Sequence, residues 1–357
     1  MNFTTANNFR EMITFSLLTG QNISINKVEP FADSELRFLD LVSFVTKNTK
    51  IYISNKKCKL DFKPGSIESE YGEDDIFDCG PHRAISYYLE PLIIMGIFSK
   101  KQLEIKLKGI THDNIDLSVD LMRNALLYML KEYYEGAIYM ELKTFQKGFR
   151  PSANGLVYFK VSAIKKNLPA LKQLSTKPLI KRIRGNAIAG KVSSQFLGRI
   201  ISTVREHFND FIPDVWVYSE LIKNSPDRFY GVSLSTNNHL VSEYFYDETN
   251  EEENITPEDI AKVAINRLLD EIENASELCS TSFQSLILTL MALGDKDVNA
   301  IVLGRLSDYS IWTLRLLKKF FNVEFKFKDT VKENSVTNYV IASCVGCKLQ
   351  NRNTELD

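Results

Sequence analysis

Apolar positions along the chain follow two spacings in turn, and the order of that alternation repeats. Residues 10–19 (REMITFSLLT) carry the three-and-four spacing of an amphipathic helix, closed by Gly20. Residues 23–28 read as a strand and 35–46 (ELRFLDLVSFVT) as a helix. Residues 50–54 and 59–62 read as two strands, ended by Pro64-Gly65. The order is helix, strand, helix, strand, strand. It recurs at 83–98, a helix that Pro91 should kink, then 103–109, 119–134, 138–144 and 155–162. It recurs again near the C-terminus: 283–293 closed by Gly294, then 300–304, 309–321, 323–327 and 339–345.

Between the second and third sets the pattern changes. Residues 180–192 and 215–219 read as strands flanking a helix at 195–208. Residues 229–235 and 240–246 read as a strand pair turning at Thr236-Asn237-Asn238. A last helix opens at Thr256, with Thr as cap, Pro257 at the first position and Glu258 and Asp259 in the first turn. The predicted fold class is α/β: three repeated α/β units forming one pseudo-threefold domain, with a small inserted α/β domain before the third unit. The boundaries fall at 1–177 for repeats one and two, 178–276 for the insert, and 277–357 for repeat three.

Composition narrows the class. A chain of 357 residues can bury a substantial core in two domains. Its longest uninterrupted apolar stretches, such as 92–98, are too short to cross a bilayer, so no membrane association is expected. The start MNFTTANNFRE lacks the pattern of a secretory signal. Five scattered cysteines fit a reducing compartment.

The net charge of −1 conceals a segregation: from Leu142 to Arg205 there are fourteen Lys and Arg and no Asp or Glu. The acids concentrate at 68–78 and 243–259. A basic block of this length is a candidate footprint for a polyanion; a lysine-rich solvated face is the plainer account. Within it, strand alternation puts Arg182 and Arg184 on one face, with Lys181 opposite, and two guanidiniums on one face suit a phosphate. Pairing with the acids of 243–259 is the alternative. Lys191 and Arg199 extend the patch, and Arg10, Lys147 and Arg150 are further candidates for RNA or anion binding. Arg315, Lys318 and Lys319 are candidates for contact with a partner or RNA, Arg315 and Lys319 being i, i+4 neighbours on a helix.

Other chemistry is sparse. Cys344-x-x-Cys347 lacks a second Cys or His pair at zinc spacing and reads as buried or incidental thiols. Thr111–Asp116 (THDNID) offers carboxylates that suit Mg²⁺, but Asp and Asn are also turn and cap residues, the favoured reading. His82 reads as an exposed helix-end residue. The acidic run 247–253 reads as a loop. No metal and no cofactor is expected.

The residues at 10–20, 79–111 (CGPHRAISYYLEPLIIMGIFSKKQLEIKLKGIT), 147–157, 178–192 and 316–327 resemble the RNA 3'-terminal phosphate cyclase superfamily. The Tyr87-x-Leu89-Glu90-Pro91 phrase looks like its cyclase-like, ribosome-biogenesis branch. The resemblance implies three α/β units with a small domain inserted before the third. In true cyclases the loop at 147–157 carries a run of glycines. Here Lys147, Gly148, Phe149, Pro151, Gly155 and Val157 keep the frame while Ser152, Ala153 and Asn154 replace much of that run. Asn154-Gly155 is also a good plain turn.

True cyclases place an adenylylated histidine at the start of the third unit's second helix. Tyr309 stands there, within a residue, and none of His82, His112, His207 and His239 falls in the region. A phenol is a poor nucleophile near neutrality. The resemblance therefore implies a non-catalytic assembly factor in the nucleus, at the nucleolus. It implies work on pre-rRNA within the small-subunit processome, beside a ribosome-biogenesis GTPase. The alternatives are a pre-rRNA endonuclease and, less favoured, a residual ATP-dependent cyclase.

Overall fold

Strand Leu103–Gly109 shows how the sheets are decided: Leu103, Ile105 and Leu107 point into the core while Lys106 and Lys108 alternate outward. In this computed structural model the described residues are 1–68, 75–164, 167–174, 179–249, 255–276, 278–331 and 338–351. The acidic stretches at 69–74 and 250–254 and the expected boundary at 177–178 lie outside or at the edge of them.

Three four-stranded sheets have one strand order. The first runs Asn2–Phe3, Ile23–Asn26, Lys59–Lys63, Lys50–Ile53. The second runs Ile76–Asp78, Leu103–Gly109, Gly155–Val161, Met140–Gln146, and the third Lys172–Gln173, Val298–Leu303, Asn338–Val345, Lys326–Val331. In each, a short leading strand pairs in parallel with its neighbour, and the other pairings are antiparallel. Helices Phe9–Thr19, Ile85–Ile97 and Gln284–Leu293 are buried almost throughout and share one apolar core with the three sheets.

The fourth sheet has its own order: Asp214–Ile222, Arg182–Gly190, Phe229–Thr236, Val241–Asp247. Helices Gln195–Phe208 and Pro257–Asn274 cover one of its faces, closing a separate core around Ile183, Val217, Val232, Leu197, Ile200 and Ile260. Thr256 caps the second helix, accepting a hydrogen bond from the Asp259 backbone N–H.

The elements depart from expectation in a few places. The leading strands were not predicted, being two or three residues long. The third sheet takes its leading strand from Lys172–Gln173, ahead of the fourth sheet in the chain. The strand expected at 323–327 forms at Lys326–Val331. The helix expected at 119–134 contains a π-helical turn, Met122–Leu126. Helix Ile85–Ile97 continues through Pro91.

Candidate functional site: an arginine clamp and a domain seam

Pro91 has no backbone N–H, so the carbonyl of Tyr87, four residues earlier, lacks its helical donor. Arg10 supplies one: its Nη1 donates to that carbonyl at 2.6 Å. Arg10 Nη2 lies 2.9 Å from a Glu90 carboxylate oxygen and donates to the Tyr309 hydroxyl at 3.0 Å. The Tyr87 ring lies between two guanidiniums, with Arg10 Cζ at 4.3 Å and Arg83 Cζ at 4.4 Å from its centroid. Arg83 in turn forks onto Asp116. The Tyr-x-Leu-Glu-Pro phrase thus provides a stacking ring, a counter-ion and a free carbonyl for one arginine.

Tyr309 is the second residue of helix Asp308–Phe321, which Ser307 caps. Burial pushes its phenol well above the ordinary range, against the pull of Arg10, so it stays protonated, accepting the Arg10 hydrogen bond rather than acting as a nucleophile. Behind it lies Glu11, which accepts hydrogen bonds from Asn8, Ser285 and Thr313. Burial pushes the Glu11 carboxyl up to about 7, even with the Ser285 and Asn8 hydrogen bonds opposing that rise. A cavity of about 390 Å³ opens beside these groups, lined by Arg10, Arg83, Glu90, Tyr309 and several serines. No histidine lines it among the described residues.

The loop at 147–157 fastens the second sheet to the fourth. Lys147 Nζ lies 2.6 Å from Asp120 and 2.6 Å from Glu220, one acid on each side of the seam. Burial would raise the Asp120 carboxyl, but His112 and Lys147 hold it well below the usual carboxylate range. Phe149 stacks on Phe229 of the fourth sheet at 3.4 Å and on His112 at 5.0 Å. The Ser152 hydroxyl donates to Asp227 at 2.5 Å. Arg150 reaches Asp113 at 3.4 Å and Asp247 at 3.8 Å. The glycines serve backbone contact: a Cβ on Gly148 would sit 2.1 Å from the Gly155 nitrogen and 2.5 Å from the Gly109 oxygen.

Nearby, Asp113 behaves as a turn residue, accepting from the N–H groups of Ile115 at 3.0 Å and Asp116 at 2.7 Å. Glu243 crosses the same seam: its carboxylate accepts from the Ser118 N–H at 2.6 Å, and burial pushes it up to about 8. Cys344 and Cys347 are free thiols, Cys344 pushed up to about 12 by burial. No group of three potential metal ligands occurs among the described residues.

The remaining predicted cations are dispersed. Arg184 forks onto Asp214 at 2.8 and 2.6 Å, an acid on the neighbouring strand rather than in the 243–259 run. Arg199 pairs with Glu258, which does belong to that run, at 2.6 Å through Nε. Lys191 Nζ donates to the Pro226 carbonyl at 3.1 Å. Lys181 and Arg182 are exposed where their strand begins. On helix Asp308–Phe321, Arg315 stacks on Trp312 at 4.4 Å, Lys318 pairs with Glu324 at 2.8 Å, and Lys319 lies 3.6 Å from the Phe3 ring centroid. The structure brings Arg10 to Tyr309, and Lys147 near Arg150. It does not bring these together with the Arg182 or Arg315 groups.

Sequence reasoning overlooked Glu90, Asp120 and Glu220, the acids that take up Arg10 and Lys147. The Glu-Pro step in a helix was a usable signal for the first. Nothing local flagged the other two.

Comparison with known proteins identifies relatives of this chain. A family model for RNA 3'-terminal phosphate cyclase matches residues 1–327. A mouse (Mus musculus) RNA 3'-terminal phosphate cyclase-like protein is 34% identical, covering 98% of this chain and 96% of its own. The human (Homo sapiens) cyclase-like protein is 33% identical with the same coverage. The rRNA processing protein rcl1 of Schizosaccharomyces pombe is 31% identical, covering 94% of this chain and 92% of its own. By this family match and these relatives, the chain belongs to the RNA 3'-terminal phosphate cyclase family, among its cyclase-like members.

Proposed function

We propose that this chain is a non-catalytic ribosome-biogenesis factor acting in small-subunit pre-rRNA processing. In this reading it works in the nucleolus, within the small-subunit processome, and binds pre-rRNA and a ribosome-biogenesis GTPase. The three like-ordered sheets are copies of one α/β unit, and the fourth sheet with its helices is the insert. RNA contact falls to exposed cations such as Lys181, Arg182, Lys191 and Arg199. Arg315, Lys318 and Lys319 face the protein partner or RNA.

The observation that carries the proposal is the clamp. Where a cyclase needs a nucleophilic imidazole, a buried phenol is hydrogen-bonded to an arginine that is itself tied to Glu90. The S. pombe relative named for rRNA processing supplies the process. The test is incubation of the purified chain with a pre-rRNA fragment, with and without ATP and Mg²⁺, alongside direct binding at several salt concentrations. Salt-sensitive binding with no cleaved or cyclised product is expected. A discrete product would make the chain an enzyme and overturn the proposal.

A further inference from the structure

One face of the fourth sheet is covered by helices, and the other divides in two. Its lower half docks on segments that follow strands of the second sheet, through Phe229, Glu243 and Phe245, which meet Phe149, Ser118 and Asn114. Its upper half, on strands Arg182–Gly190 and Asp214–Ile222, leaves two rings exposed, with no covering element among the described residues. There the parallel register sets Arg182 beside Asp214, Arg184 beside Trp216, and Asn186 beside Tyr218. Trp216 is 49% exposed and Tyr218 59%, two large rings at i, i+2 on an edge strand, with centroids 6.1 Å apart. Neither ring fills a core: their neighbours Val215 and Val217 face the helices instead.

Exposed aromatics on a sheet face call for an explanation, because such area is normally buried. The charges beside them narrow it. Arg205 reaches around the sheet edge to place its guanidinium 5.1 Å from the Trp216 ring. The acids on this face are engaged, Asp214 by Arg184 and Glu220 by Lys147. Arg182 and Arg205 then give the surface a cationic excess. A protein-binding core is depleted in charge and contiguous in apolar area. Isolated rings flanked by guanidiniums match the needs of unpaired nucleotides, whose bases stack and whose phosphates take cations. The strand runs on through Glu220 into a cavity of about 290 Å³ lined also by Phe145, itself 59% exposed on the edge of the second sheet. That continues the path along the seam.

We propose that this open half-face holds single-stranded RNA, with bases stacked on Trp216 and Tyr218 and phosphates held by Arg182 and Arg205. The inference rests on the RNA-binding reading above and assigns it a place. It is tested on the full chain with a short labelled oligouridine, by fluorescence anisotropy at several salt concentrations. The double variant Trp216→Ala/Tyr218→Ala, whose rings are exposed and outside every core, should bind at least tenfold more weakly while its melting temperature holds. A duplex probe should be bound more weakly than the single strand, and in a Trp312→Phe background the oligomer should quench the Trp216 emission. If the double variant binds like the wild type, this face is not the RNA site, and the reading above survives with RNA held elsewhere. If the wild type binds neither this probe nor a pre-rRNA fragment, both fall.

Discussion

The side chain of Arg10 completes the hydrogen bonding of the Tyr87 carbonyl, 2.6 Å away, which Pro91 leaves without a helical donor. Replacing Arg10 by Met should therefore do two kinds of damage, orphaning that carbonyl and leaving Glu90 without its counter-ion. A loss of about 3–5 kcal/mol in urea-unfolding stability is expected. In a Pro91→Ala background, where the helix regains an N–H, the loss should shrink by about 1 kcal/mol. Strict additivity of the two changes would refute the carbonyl argument.

Tyr309 should carry no nucleotide. Incubation of the chain with α-labelled ATP and Mg²⁺ is expected to leave it unlabelled, because the phenol is buried and protonated. Tyr309→Phe should cost only about 1 kcal/mol, the worth of one hydrogen bond. Labelling of the wild type that disappears in this variant would show Tyr309 to be a working nucleophile.

Lys147 neutralises an acid whose side chain is only 3% exposed, Asp120. Lys147→Met should leave that charge buried and cost about 3–5 kcal/mol, with little change in RNA affinity once the protein is folded. The opposite result, normal stability with weakened RNA binding, would return Lys147 to the role of phosphate ligand.

Two changes in the same loop should differ sharply. Gly148→Ala drives a methyl to 2.1 Å from the Gly155 nitrogen, in a place where only backbone could yield. Thermal melts should show it badly destabilised or unable to fold. Ser152→Gly, which brings the loop closer to a glycine run, should lose about 1–2 kcal/mol through the missing bond to Asp227. Equal effects would mean the glycines are not the seam's close contact.

Glu243, pushed up to about 8, and Glu11, pushed up to about 7, set a pH dependence. Each holds its proton more tightly when folded than unfolded. Their stabilising contribution is present at low pH and is lost as pH rises from the ordinary carboxylate range through the folded value. Between about pH 6 and pH 8 the Glu243 contribution should fall by about 2–3 kcal/mol. Glu243→Gln should flatten the stability profile over that window. A profile that rises with pH, or one that this variant leaves unchanged, would contradict the assignment.

Much of the fold was legible because it rests on local periodicity. The helices at Phe9–Thr19, Gln195–Phe208 and Asp308–Phe321 and the strand at Leu103–Gly109 follow their apolar spacing closely. The leading strands were not legible, since two residues carry no period. The place of Tyr309 at a helix start was legible; its bond to Arg10 was not, because nothing local links residues 299 apart. The partners of the basic block were illegible for the same reason. Lys147, Arg150, Arg184 and Arg199 meet acids from other parts of the chain, and a linear count of charge does not see them. In sequence the serine, alanine and asparagine only replace much of a glycine run. In the structure Ser152 ties the loop to Asp227.

The two residues Lys172 and Gln173 pair with Ala300 and Ile301. A chain emerging from the ribosome therefore presents its first two sheets complete before that pairing is possible. The fourth sheet, contiguous between Arg182 and Asp247, can also close beforehand. The third sheet waits, with its first strand already synthesised and its partners still to come. Its closure requires the intervening chain to bring residue 172 and residue 300 within reach, which makes this pairing the most sequence-distant closure of a leading strand among the three sheets.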